Sequence, residues 1–150
     1  MSTKYSHKRM TGIKLGPNDH AGEAASYTTS STTFQDALTL SFTPPAGSDY
    51  LIIAMGQIAC GSTAAYNAEV YLDAEGQVGQ AIVVKLNDVN GADRQSWMQM
   101  QRLTGLSATS KTMRIKLRIT NASGEARIYK PTLIAINLNN LKGHKWASAL

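Results

Sequence analysis

From Leu38 to Thr43 the chain alternates Leu38, Leu40 and Phe42 with Thr39, Ser41 and Thr43. A period of two puts one set of side chains on each face of an extended strand, so this segment predicts a strand with a single buried face. Pro44 and Pro45 stop it, and Gly47 to Asp49 complete a turn. Met113 to Thr120 carries the clearest pattern: Met113, Ile115, Leu117 and Ile119 face one way, and Arg114, Lys116, Arg118 and Thr120 the other. A helix would scatter both sets around its axis.

The remaining segments read similarly. Tyr27 to Thr29 predicts a short edge strand, followed by a Ser/Thr-rich link from Ser30 to Thr33. Tyr50 to Cys60 predicts a long, more deeply buried strand. Ala68 to Asp73 sets Val70 and Leu72 against Glu69 and Tyr71 before a turn at Glu75-Gly76, and Ala81 to Leu86 is a β-branched run suited to a central strand. Gln95 to Leu103 mixes Trp97, Met98 and Met100 with Gln99, Gln101 and Arg102, and is read as a strand in preference to one short helix. Ala126 to Leu138 forms the last strand, with Pro131 near its middle marking an edge or a bulge. About eight strands separated by turns, without an internal repeat, predict an all-β fold: an antiparallel, jelly-roll-like sandwich.

The first 24 residues break this pattern. They have no period of 2 or 3.6 and contain Gly12, Gly16, Pro17 and Gly22. They are read as an extended basic N-terminal arm that orders by docking. Residues 25–138 form the sandwich and residues 139–150 a basic C-terminal tail.

Composition sharpens this picture. A chain of 150 residues can bury a core without disulfides or metals. With 43% hydrophobic and 17% charged residues, much of its surface must be uncharged and polar. The net charge of +5 is unevenly placed: residues 1–24 carry Lys4, Lys8, Arg9 and Lys14 against Asp19 and Glu23. Residues 25–103 carry three cations against seven acids, and residues 104–150 eight cations against Glu125. The single cysteine, Cys60, lies in an apolar run and reads as a buried, inert thiol. The longest apolar stretch, Tyr50 to Met55, is far short of the roughly 18 residues that cross a bilayer. Nor does an apolar segment follow the N-terminal cations as in a secretory signal. The expectation is a soluble protein made in the cytoplasm, with no membrane partner.

Nothing in the sequence assembles a catalytic or metal-binding constellation. His7, His20 and His144 fall in the predicted tails, where nothing would fix their geometry. The acids occur singly at turns such as Asp49, Asp73 and Asp88. Phosphate loops, nucleophile elbows and paired-cysteine motifs are missing. The expectation is a binding protein, not an enzyme, with no cofactor and no metal. Three candidate surfaces stand out. In the arm, Lys4, Lys8, Arg9 and Lys14 supply charge while Tyr5, Ile13 and Leu15 supply apolar anchors. The row Arg114, Lys116, Arg118 projects as one basic strand face, either for an anionic partner or to protect an exposed strand by charge. In the tail, Trp146 is a candidate interface anchor. The basic row lacks interleaved aromatic rings and the middle of the chain is acidic, which argues against nucleic acid.

The stretch from Ser30 to Leu138, with its STTFQDALTLSFTPPAGSDYLIIA opening and its KTMRIKLRIT and YKPTLIAINL close, resembles the small jelly-roll proteins on the outside of tailed-phage particles. These are capsid decoration or cement proteins and the β-rich modules of fibres. The resemblance implies a homotrimer on the outer capsid surface, gripping the major capsid protein through a terminal arm. On that reading, removal of residues 1–24 abolishes capsid binding and leaves the body folded. The alternative is a fibre module that recognises host glycan through Tyr66, Trp97 and the turn Asn87 to Asp93.

Overall fold

A computed structural model describes residues 15–61, 67–85, 94–121 and 123–141. Ten strands run in chain order: β1 (His20–Glu23), β2 (Ser26–Thr29), β3 (Gln35–Phe42), β4 (Ser48–Gly61), β5 (Asn67–Ala74), β6 (Gln77–Val78), β7 (Ile82–Lys85), β8 (Gln95–Leu106), β9 (Lys111–Ile119) and β10 (Glu125–Asn137). A 3-10 turn, Leu138–Leu141, is the only helical element among the described residues.

Two five-stranded antiparallel sheets form a sandwich. The first has the order β1-β10-β4-β8, with β2 also on β10; the second has the order β3-β9-β5-β6, with β7 also on β5. Taking β1 with β2, and β6 with β7, as interrupted single strands leaves eight. Their pairing is then first with last, second with seventh, third with sixth and fourth with fifth, split alternately between the sheets. That is a jelly roll, the architecture the strand count predicted.

The break between β1 and β2 has a physical cause in β10. Its register against β4 shifts between Tyr129 and Thr132, at Lys130 and Pro131, and Lys130 takes a positive φ of 47°. Proline has no N–H for a ladder, so an extra residue is accommodated here as a bulge. The bulge resets the phase of the strand. Before it, Ala126 and Ile128 point into the core; after it, Leu133 and Ala135 do. The first strand breaks at the same place: β2 pairs with Ala126 to Tyr129 and β1 with Thr132 to Ala135. Ala24 N donates to Pro131 O and Lys130 N to Ala25 O across the break.

The core lies between the sheets. Tyr50, Ile52, Ala54, Ile58 and Cys60 of β4 meet Val70, Leu72, Met113, Ile115, Leu117 and Ile119 of the second sheet, all fully buried. Burial pushes the Cys60 thiol pKa up, consistent with an inert packing role. Trp97, only 5% exposed, lies opposite Gly56 on the inner side of β8 and β4. A Cβ on Gly56 would sit 2.9 Å from Ile128 Cδ1 and 3.3 Å from Tyr129 O, so Ile128 fills the space that glycine leaves. At the open side of the sandwich the sheets are joined by Gln99. Its Oε1 accepts from Leu72 N at 2.6 Å and its Nε2 donates to Gln80 O at 2.9 Å.

Three sequence expectations change. The arm does not extend through residue 24, because His20–Glu23 is a strand of the first sheet. The run expected as a central strand is the short β7, which pairs with β5 alone and leaves Ile82 and Val83 exposed. Trp97 belongs to the core, so it offers no stacking surface for a sugar.

Two outcomes follow. Removing residues 1–24 takes away β1 together with its contacts to β10, and is expected to lower the melting temperature markedly; removing residues 1–14 is expected to leave it nearly unchanged. Equal melting temperatures for both truncations would contradict this boundary. Gly56→Ala is expected to cost about 1–3 kcal/mol in denaturant unfolding, the usual range for overpacking a dense core.

Candidate functional site

The basic row of β9 is present as the alternation predicted, with Arg114, Lys116 and Arg118 on the outer face of the second sheet. β9 is an interior strand, however, and its neighbours on both sides bring acids to it. Asp73 of β5 stands opposite Arg114, and Glu69 opposite Arg118. Arg118 bonds Glu69 at 2.6 Å, Lys116 bonds Asp36 at 2.6 Å, and Arg114 lies 3.3 Å from Asp36 and 3.6 Å from Asp73. The Arg118 guanidinium also stacks over Phe34, 4.4 Å from its ring centre. Three cations are matched by three carboxylates, so the local field largely cancels. Each of these half-exposed pairs contributes about 0–1 kcal/mol. The row is a neutral network across three strands rather than a receptor for an anion. Strands β3 and β5 are remote in sequence from β9, so the alternation on β9 gave no sign of them.

The ends of the described chain meet. Gly16 N donates to Asp19 Oδ2 at 2.7 Å, forming a turn in which Asn18 takes a φ of 61°. Asp19 Oδ1 accepts from Asn137 N at 2.7 Å, Asn140 Nδ2 donates to Pro17 O at 2.5 Å, and the Tyr50 hydroxyl donates to Asn18 O at 2.7 Å. Residues 16–19 are thereby stitched to residues 137–140. Of the arm candidates, Leu15 alone is described, and it is half-buried at this corner. Lys4, Tyr5, Lys8, Arg9, Ile13 and Lys14 lie outside the described residues, as do Trp146, Tyr66 and the turn Asn87 to Asp93. Their sequence still matters: residues 1–14 hold four Lys or Arg and residues 142–150 hold two, with no Asp or Glu in either segment. Six of the chain's 15 cations therefore join the body through two hydrogen-bonded neighbours.

His20, at the same corner, is not a solvated tail residue. Its ring stacks on Phe42 with centroids 4.6 Å apart, and its Nε2 has no hydrogen-bond partner among the described residues. Burial lowers its pKa from the ordinary 6.5, against a smaller upward pull from the Asp19 carboxylate. No group of three or more His, Cys, Asp or Glu side chains able to hold a metal occurs among the described residues.

The outer face of the first sheet differs around β8. Strand β8 turns Gln99 and Gln101 inward, where Gln101 Nε2 bonds Gln77 Oε1, and turns Met98 and Met100 outward, 58% and 57% exposed. Met98 stands beside Met55 and Met100 beside Ile53; on the far side of β4, Ile53 stands beside Ile134 and Leu51 beside Ile136. Composition alone would place the methionines inside and the glutamines out. The signal that locates them is parity, since Gln99 and Gln101 share a phase with the buried Trp97 and Leu103.

No family model matches the chain, and no curated protein does. Among solved structures it is similar to dimeric latent PorU from Porphyromonas gingivalis, at 10% identity and a TM-score of 0.49, over 79% of this chain and 13% of that one. It is similar to VP2 of the infectious bursal disease virus subviral particle, at 11% identity and a TM-score of 0.46, over 87% of this chain and 38% of that one. It is also similar to the C-terminal domain of EclA, described as a sugar-binding protein, at 14% identity and a TM-score of 0.48, over 89% and 97% of the two chains. The chain thus spans well under two thirds of PorU and of VP2. At such identities the likeness says nothing of function.

The half-buried His20 gives a pH prediction. Its depressed pKa means the unfolded chain binds the proton more readily, so its contribution to stability is complete above pH 6.5 and is lost as pH falls through the lower folded value. Thermal melts between pH 8 and 5 are expected to show a decline setting in below about 6.5, and His20→Phe should remove that part of the decline. An identical pH profile in the variant would show that His20 carries no such linkage.

Proposed function

We propose that the chain is a non-enzymatic structural protein of a virus particle: a jelly-roll body made in the host cytoplasm and fixed to the outer capsid surface by its basic N-terminal segment. The observation that carries this reading is the corner where both acid-free basic segments join a body most of whose described carboxylates are already ion-paired. In the described body, Asp36, Asp49, Glu69, Asp73, Glu75 and Glu125 are each ion-paired within the chain. Few carboxylates of the described body are left for the terminal cations, which favours a complement on another molecule.

The work of such a protein is mechanical. Lys4, Lys8, Arg9 and Lys14 meet carboxylates of the major capsid protein, while Tyr5, Ile13 and Leu15 bury against it. Contacts that exist only on the assembled shell stabilise that shell by mass action. Assembly of the chain as a trimer would multiply them through effective concentration. The other candidate role, glycan recognition by a fibre module, retains Tyr66 and the turn Asn87 to Asp93 but loses Trp97 to the core. That loss favours the structural role.

Co-sedimentation with intact, undecorated capsids tests the proposal. The expected result is saturable binding at a fixed copy number per capsid subunit, weakening as salt is raised from about 0.05 to 0.5 M because exposed charges are screened. Removal of residues 1–14 should weaken it by about tenfold or more. A folded protein that stays in the supernatant, yet binds saturably to a glycan panel, would replace this reading with the fibre role.

A further inference from the structure

Among the described residues, the exposed large apolar side chains gather along one rim of the sandwich. Met98 and Met100 project from β8, the edge strand of the first sheet. Ile82 and Val83 follow closely after Gln80, whose carbonyl accepts from Gln99 of β8. Behind the methionines the apolar surface continues across the sheet through Met55 and Ile53. On this face the stretch from Met98 to Met100 and from Met55 to Ile53 carries no charge and is bordered by the Arg102–Asp49 pair opposite Leu51, whereas the opposite face of the sandwich carries the six paired charges around β9. On β8 the charge that guards an edge is confined to Arg102, and the stretch Met98 to Met100 is a pairing hazard unless something covers it.

We infer that this face of the first sheet, centred on Met98, Met100, Met55 and Ile53, is the surface by which the body lies on its partner, and that the partner is a different protein with an apolar patch bordered on one side by carboxylates. The inference rests on the capsid-binding reading and specifies its contact surface. Charge complementarity selects the occupant. Ile53, which pairs with the buried Ile134, lies three residues, about 10 Å, along β4 from Tyr50, the partner of Asn137 at the corner where both basic segments join the body. A second copy could cover the methionines but has few acids to offer those segments. Among its described residues, six carboxylates are ion-paired and Asp19 is held by backbone N–H groups, which leaves Glu23. A partner that presents both apolar and acidic surface satisfies the whole face at once.

The test compares three full-length proteins in co-sedimentation with undecorated capsids: the wild type, the double variant Met98→Glu/Met100→Glu, and Thr39→Glu/Ser41→Glu, which adds the same charge to the opposite outer face. All four positions are exposed, so each variant should keep the wild-type melting temperature. The expected result is a loss of capsid affinity of about tenfold or more for the methionine variant and of less than about threefold for the control. Equal weakening in both variants, or none in the methionine variant, overturns this inference while leaving capsid binding intact. A wild type that fails to sediment sinks the capsid reading and this surface with it. Native mass spectrometry of the free proteins supplies the remaining outcome: a wild-type oligomer that becomes monomeric in the methionine variant would assign the face to a second copy and overturn the choice of partner.

Discussion

The long antiparallel pairing of β4 with β10 is the interaction on which the rest of the structure depends. Eleven registered residue pairs join the two strands, and they form the middle of the first sheet. The β10 strand has one residue more than the pairing can use, and the bulge at Lys130 and Pro131 absorbs it. Without that step, one half of β10 would turn its apolar side chains outward and its polar ones into the core. The same step divides the first strand into β1 and β2 and so fixes where the N-terminal segment joins the body.

A second constraint follows from the jelly-roll winding. Its pairing joins strands that are distant in sequence, first with last and second with seventh, so each sheet face is assembled from separate parts of the chain. On the second sheet this brings Asp36, Glu69 and Asp73 to the cations of β9 and closes a neutral network. On the first it brings Met98 and Met100 beside Met55 and Ile53. The outer face of the second sheet carries a closed charge network around β9, whereas the outer face of the first exposes Met98 and Met100 beside the Arg102–Asp49 and Arg127–Glu125 pairs.

The fold was largely legible in the sequence because period-two alternation is a local property, and strands such as Gln35–Phe42 and Lys111–Ile119 have one buried and one wet face. Pro131 signalled its bulge because a missing N–H is also local. The site was less legible. The β9 row was visible, but its neutralisation was not, since the compensating acids belong to other strands. Strand β1 was missed because only four residues pair, with Gly22 among them and no alternation to mark them. His20 was assigned to a solvated tail for the same reason, although its partner Phe42 makes it part of the packed corner.

The sequence by itself determined what each short segment can be: which residues extend, where turns fall, which strands have an apolar side, and that the acid-free cations gather near the two ends. Those properties follow from backbone geometry and side-chain chemistry over a few neighbouring residues. Only the tertiary structure decided which strands lie side by side, whether a charge is matched, and which apolar face is left open. Those depend on register between segments tens of residues apart, where a shift of one residue exchanges the inner face of a strand for the outer one.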